Sequence, residues 1–400
     1  MGNGAKSVLL CCVMLDITYI LTYNRGKSTY SIMASTEISI PCHWDTKTLN
    51  QMANMPAGEG VRLSEVYGVM AHGGPVGHGR SSNAVKEVTE AEAVAYRETV
   101  KSKGLLFTYL LNAPYSKDQK QQVELERYLE WIFSDIKPDA VTVTSLDLMR
   151  EVRRMDSTVG IHISTIAGVK TPKDLEPFLE VGPNRVVPHH DLGKDHKNLE
   201  AIVKMSDREG IEVELLATES CLYRCQDRCA HYESLAKRGA QDAPFHSTCN
   251  TRKLTKPREL LMAGGTIRPE DVAKYESMGV KYIKLSGRSK PSMWLPEVVQ
   301  AYLERSYDGN LIRLLGIDPS IRAEDWIFIN NKALDGFIDG YPVNQPYPAQ
   351  AEYCDGWISK MHTSGDFAVS DGTVYTNDDR RLVLKQAGVN AERIILKERK

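Results

Sequence analysis

A closed barrel of eight parallel strands, each followed by a helix, is the fold this sequence predicts, with a small irregular C-terminal appendage. Short runs rich in β-branched and aromatic residues recur eight times between Glu37 and Gly287. Longer charged or amphipathic stretches separate them, and strands alternating with helices pair in parallel through right-handed crossovers. Eight such units spanning about 260 residues match a (β/α)8 barrel in number and size. An open doubly wound sheet is the alternative.

The strand-like runs, in order, are EISIPCHW from Glu37, SEVYGVMA from Ser64, LLFTYLLN from Leu105 and DAVTVTS from Asp139. VGIHIST from Val159, NRVVPHH from Asn184, IEVELLA from Ile211 and KYIKLSG from Lys281 complete the eight. Between them lie the helix-like segments Glu90–Lys103, Lys117–Ile136, Lys173–Val181, Lys197–Glu209 and Pro269–Met278. Residues 35–308 are thus read as the barrel. Residues 1–34 form an N-terminal extension whose apolar run Val8–Tyr23 is interrupted by Asp16. That run is shorter than the roughly 20 residues a membrane span needs. Its readings are a targeting segment, an extra strand or helix, or an upstream start ahead of Met33, with Cys11 and Cys12 as apolar filler. Beyond Asn310 the rhythm changes, and residues 309–400 read as the appendage, with three prolines in Tyr341–Gln350 and a charged tail from Asp378.

A formal net charge of −2 over 400 residues gives no overall electrostatic footprint for nucleic acid or an anionic lipid surface. The expected partner is therefore a small-molecule substrate before RNA. Eight cysteines, four of them between Cys221 and Cys249, fit a reducing, cytoplasmic compartment with a metal site better than a secreted disulfide scaffold.

Function in such a barrel sits where the strands end. Those ends carry His43, His78 and Arg80, then Asn112, then His189 and His190, Glu214 beside the cysteines, and Arg288. Arg80 lies in the glycine-rich loop AHGGPVGHGRSSN, where glycine lets backbone approach a ligand closely and Arg can pair an anion. In VVPHHDLGKD the two imidazoles are neighbours, and neighbours on a strand point to opposite sides, so at most one faces the pocket. KLSGRSKP closes the eighth strand where barrels often bind anions with backbone N–H groups and Arg. These positions give His190, Glu214 and Arg80 as candidates for moving protons, and His43, His78, Asn112, His189 and Arg288 as candidates for binding substrate. A surface loop or a hydrogen-bonded core histidine is the bland reading of each.

Cys221, Cys225 and Cys229 are spaced four apart and Cys249 follows twenty residues later. On a straight helix the first three would spread over roughly 12 Å, too far for one centre, so a shared metal requires a loop or broken helix here. Three close cysteines with a distant fourth suit an iron–sulfur cluster, with zinc as the alternative and idle or disulfide-bonded thiols as the third reading. His231 and His246 flank the group as substitute ligands.

Taken together, SIPCHWD, YGVMAHGGPVGHGR, FTYLLNAP, VELLATESCLYRC, KLSGRSKP and INNKALDGF resemble the peptidase U32 family, whose bacterial relatives include oxygen-independent hydroxylases. The resemblance runs from about Ile38 to Phe337. It implies a TIM-like barrel with a [4Fe–4S] cluster held by Cys221, Cys225, Cys229 and Cys249. It also implies redox chemistry such as oxygen-independent hydroxylation of a small metabolite or an RNA base, and an electron donor or a paralogous U32-like partner. The family places a Glu eight residues before the first Cys and a second Cys seven after it, whereas here Glu214 is seven before and the later cysteines fall at four and eight. A metal- or thiol-dependent peptidase and a non-catalytic, cluster-bearing subunit are the alternatives. No Ser–His–Asp or HExxH pattern can be read from the chain.

Overall fold

The computed structural model describes residues 36–71, 74–79, 85–114, 122–235, 243–319 and 322–369. Eight strands close into one barrel, each parallel to both neighbours. They are β1 (Thr36–Pro41), β2 (Val61–Gly68), β3 (Leu106–Leu111), β4 (Ala140–Val143), β5 (Gly160–Ile163), β6 (Arg185–Val186), β7 (Glu212–Leu216) and β8 (Tyr282–Lys284). Every one overlaps a run expected from sequence. The N-terminal extension, Arg80, His72 and the tail from Asp378 lie outside the described residues.

The surrounding helices are α1 (Thr46–Ala53), α2 (Glu90–Ser102), α3 (Gln122–Trp131), α4 (Leu146–Met155), α5 (Pro172–Leu175) and α6 (His196–Arg208). Three more, α7 (Arg228–Leu235), α8 (Ala243–Thr255) and α9 (Arg258–Met262), fill a long excursion between β7 and β8, which α10 (Val272–Ser277) ends. α11 (Leu295–Leu303) follows β8. Local chemistry sets several starts: Thr89 and Glu92 form a capping box at α2, with Glu92 N donating to Thr89 Oγ1 (3.2 Å) and Thr89 N to Glu92 Oε2 (2.8 Å).

The faces of the strands divide sharply by polarity. Ile38, Ile40, Val66, Phe107, Tyr109, Val141, Ile161, Val213 and Ile283 are buried in the main apolar core, the seam on which the helices pack. The register aligns the opposite faces: Ser39 with Glu65 and Lys284, Tyr67 with Thr108, and Leu110 with Thr142, then His162, then Arg185. A one-residue bulge between Ile38 and Ser39 brings Glu65 rather than Ser64 opposite Ser39. Barrel interiors are usually filled by branched apolar residues. This one also holds the charged side chains of Glu65, Arg185, Glu214 and Lys284, all buried.

Beyond the barrel, β9 (Ile327–Ile329) pairs antiparallel with β10 (Phe367–Val369), around α12 (Phe337–Gly340) and the 18-residue α13 (Tyr347–Ser364). The prolines of Tyr341–Gln350 suggest irregular chain, yet Pro346 and Pro348 sit at the start of α13, where a missing N–H removes no helical bond. Gly365, in the left-handed region, ends that helix. No helix among the described residues is long and apolar enough to cross a membrane.

One buried cation in this region is poorly matched. Lys194 is 2% exposed and its Nζ donates to Thr266 O at 2.9 Å, with the Tyr341 ring 5.7 Å away. Burial pushes its ammonium down to about 8, Asp271 offsetting only part. The folded value lies below the unfolded one, so the unfolded chain binds more protons between them and stability rises with pH through the window from about 8 to 10.5. Lys194→Met is expected to raise stability at pH 7 by about 2 kcal/mol, the lost bond to Thr266 offsetting part of the gain. It should also remove that rise, as urea denaturation at pH 7, 8.5 and 10 would read; a variant less stable than the parent at pH 7 refutes it.

Candidate functional site

A pocket of about 580 Å³, counting the open space at its entrance, lies at the C-terminal end of the barrel. Its floor is the upper part of the barrel interior: Tyr67 from β2, Leu110 from β3, Thr142 from β4, Leu216 from β7 and Lys284 from β8. Its walls come from the loops that follow the strands, including Asn112, Ser164, Thr165, His190, Glu219, Ser286, Gly287 and Arg288, and from Tyr232 on α7.

The floor rests on a buried ion network. Arg185 Nη1 donates to Glu65 Oε2 at 2.8 Å and lies 3.6 Å from Glu214 Oε1. Lys284 Nζ reaches Glu214 Oε2 at 3.5 Å, and Ser39 Oγ donates to Glu65 Oε1 at 2.9 Å. The two cations also cover rings, Arg185 above Tyr282 at 3.4 Å and Lys284 above Tyr67 at 4.0 Å. Burial alone would raise both carboxylates. Lys284 and Arg185 together bring Glu214 below the ordinary range, while Glu65, with Arg185 offsetting burial only in part, stays above it. His162, caught between burial and the charges of Arg185 and Lys284, is held well below its usual value and is neutral. Two carboxylates and two cations balance, and Lys284 is the member that emerges into the pocket.

On the opposite wall His190 is fixed by a chain of hydrogen bonds. Thr165 Oγ1 lies 2.8 Å from Pro188 O and 3.1 Å from His190 Nδ1. A carbonyl can only accept, so the single hydroxyl proton goes to Pro188 and Nδ1–H donates to Thr165. In the neutral imidazole Nε2 is then the unprotonated nitrogen, and the Tyr232 hydroxyl lies 3.0 Å from it and 3.4 Å from Nδ1. That is the tautomer a general base needs, held by a neighbour on its far side.

Three of the sequence candidates, Asn112, His190 and Arg288, line this pocket. Others act through a neighbour. His43 Nε2 donates to Gly287 O at 2.9 Å and so sets the β8 loop, and Arg288 Nη2 donates to the carbonyl of His78 at 2.9 Å. Gly287, at φ 133°, packs its Cα hydrogens where a side chain would strike Trp294. Glu214 sits beneath Lys284. Arg80 is outside the described residues.

His189 points away from the mouth into a clamp. Arg228 Nη1 donates to His189 Nε2 at 2.8 Å, and Nη2 donates to Asp191 Oδ1 at 3.1 Å and to Leu222 O. Burial and the adjacent guanidinium push His189 down to about 3, so it is a neutral acceptor. The clamp pins the loop that carries the cysteines. Cys221 and Cys225 lie in that loop, whose turn puts Arg224 at φ 50°; Cys229 is exposed on the first turn of α7, and Cys249 is on α8. All four are thiols outside any disulfide. Among the described residues no three His, Cys, Asp or Glu side chains stand together as a metal site requires. Cys221 and Cys249 lie close enough to interact electrostatically, and Arg228 holds the loop between them through His189, Asp191 and Leu222.

Of three further pocket side chains, Lys284 opens KLSGRSKP while Thr142 and Tyr232 belong to no motif. Thr142 and Lys284 are signalled by strand alternation, Lys284 sharing a face with Tyr282 and Ser286. Tyr232 lies within α7, where neither spacing nor composition marks it.

The family model of peptidase family U32 matches residues 79–310. An uncharacterized protease of Methanocaldococcus jannaschii is 28% identical over 235 residues, covering 57% of this chain and 68% of its own. A solved structure of a U32 peptidase is 16% identical with a TM-score of 0.43, over 66% of this chain and 97% of that one.

Proposed function

The chain belongs to peptidase family U32, and from that premise we propose that it is an enzyme whose active centre is the barrel-mouth pocket, acting by proton transfer on a small metabolite that bears a carboxylate or phosphate. The observation that carries this reading is the position of His190 at the pocket wall, with Thr165 against Nδ1 and Tyr232 against Nε2. Its unprotonated Nε2 meets Tyr232 at the pocket wall, so a proton leaving a substrate passes to the tyrosine oxygen as the tyrosine's own proton moves to Nε2. Lys284 and Arg288 supply the positive charge that holds the anion and stabilises charge developing next to it. Glu214 keeps Lys284 oriented from below.

A [4Fe–4S] cluster would be held by Cys221, Cys225, Cys229 and Cys249, and the proton transfer proposed for the mouth rests on the pocket residues alone. Peptide hydrolysis by a cysteine finds little support. Cys221 does not line the pocket, and burial pushes its thiol up to about 11, the reverse of an activated nucleophile.

A substrate of unknown identity can be found by isotope exchange. Purified protein is incubated in D2O with a library of carboxylate and phosphate metabolites and with short peptides, and mass spectrometry reads each compound. The expected result is a one-dalton gain in one or a few carboxylates or phosphates, from exchange of an acidic C–H. Arg288→Gln should weaken binding of those compounds by roughly tenfold or more, the loss of a charge-assisted hydrogen bond. Cleaved peptides without exchange would overturn the proposal in favour of a peptidase; neither exchange nor cleavage would overturn it outright.

A further inference from the structure

We infer that the metabolite is bifunctional: an anion at the β8 side of the mouth and a hydroxyl or amino group at the β3–β4 side, as in a hydroxy or amino acid. This rests on the barrel mouth being the substrate site and names which substrates it selects.

Polar atoms that the protein leaves unmatched point to the second group. Thr142 is 2% exposed and lines the pocket floor, yet its Oγ1 has no hydrogen-bond partner among the described residues. Asn112, just past the end of β3, lines the adjoining wall, and its Oδ1 is likewise buried without a partner among them. Its backbone carbonyl is occupied, accepting from Thr144 Oγ1 at 2.8 Å, so the residue is positioned by its main chain and its amide oxygen is left over. Leu110 and Thr142 are register partners on β3 and β4, which sets Asn112, two residues on and level with Thr144, one step above Thr142 at the same side of the mouth. Buried polar atoms are almost always satisfied, and each one left unmatched weakens the fold. Two on one wall of a pocket mark a place where a ligand completes the bonding.

Chemistry narrows what completes it. An amide oxygen only accepts and a hydroxyl can accept as well as donate, so the wall suits a donor: O–H or N–H. Across the barrel, on β8 and its loop, stand Lys284 and Arg288, which only donate. A ligand satisfying both walls has an anion at one end and a donor at the other. A plain alkyl carboxylate fills the cation side and leaves Thr142 and Asn112 unmatched, and sites built this way reject the analogue lacking the group.

The experiment uses the full-length protein and two matched series, ω-hydroxyalkanoates and ω-aminoalkanoates of three to six carbons beside the unsubstituted alkanoates, with the corresponding phosphate monoesters as a second arm. Affinities are read by calorimetric titration. The expected result is roughly tenfold or greater preference for the substituted member at one chain length. Thr142→Val and Asn112→Leu should each reduce that preference without changing the affinity for the unsubstituted acid. Thr142→Val also carries its own check on structure. Removing a hydroxyl that has no partner within the protein should leave the melting temperature unchanged or raised, whereas a fall of several degrees would show it bonded inside the protein and overturn the inference. So would a parent protein that binds both members of each pair equally, or a preference that survives both substitutions. If anions bind and Arg288→Gln weakens them but no preference appears, the bifunctional ligand alone is ruled out. If no anion binds, the barrel-mouth reading fails with it.

Discussion

Arg185→Met is expected to lower stability at pH 7 by about 3–5 kcal/mol, a large share of what a domain possesses. The side chain is 2% exposed, and its removal strips Glu65 Oε2 of a 2.8 Å hydrogen bond and leaves Lys284 as the cation beside Glu214, with both carboxylates fully buried. The methionine stem replaces the packing over Tyr282 but cannot answer two carboxylates. The pH dependence fixes the cause. Without Arg185 the Glu65 carboxyl is raised further above its unfolded value, so the folded form binds the extra proton and the deficit is greatest above the usual carboxylate range and shrinks on acidification. A second substitution, Glu65→Gln, should recover most of the loss, because a neutral amide needs no counter-charge. Urea denaturation of the parent, the single and the double variant at pH 7 and pH 4.5 reads all of this. A single-variant deficit under about 1 kcal/mol, or one untouched by Glu65→Gln, would mean the ions are solvated and the interior is wet.

The same network explains why the sequence reveals the barrel so well and its interior less well. Eight strands are legible because each is a short β-branched run bounded by glycine, proline or a charged helix, and helices of thirteen residues such as α2 and α6 keep a long enough period to be recognised. What alternation alone does not say is which face looks inward. In most parallel barrels both faces are apolar, and only the register, with Ser39 opposite Glu65 and Thr142 opposite His162, shows that the polar set points to the axis. His190 and Arg288 are legible as strand-end residues, a position that itself predicts function. Tyr232 is not, because it reaches His190 from a helix formed within the long excursion between β7 and β8. The cysteines are conspicuous along the chain, but spacing carries no direction. Cys229 turns outward on α7 while Arg228, beside it, turns inward to His189 and Asp191.

His190→Gln is expected to reduce the rate of deuterium exchange into the substrate by roughly 10²–10⁴-fold, the usual share of a positioned base. Glutamine keeps the size and a hydrogen bond to Tyr232 but has no nitrogen able to take a proton near neutrality. Binding should survive, since Lys284 and Arg288 hold the anion, so the loss falls on turnover rather than affinity. Tyr232→Phe cuts the relay between pocket and imidazole and should approach the same loss if every proton passes through the phenol. Thr165→Val tests the tautomer. With no oxygen to accept from Nδ1, the imidazole no longer prefers the form with an unprotonated Nε2, and the rate should fall by up to about tenfold, less than for the base itself. A His190 that merely supports the fold predicts a different order, with all three variants losing melting temperature in step with rate. If His190→Gln keeps exchange within tenfold of the parent while remaining folded, the base lies elsewhere in the mouth, and Glu219, the carboxylate that lines the pocket, is the side chain to replace next.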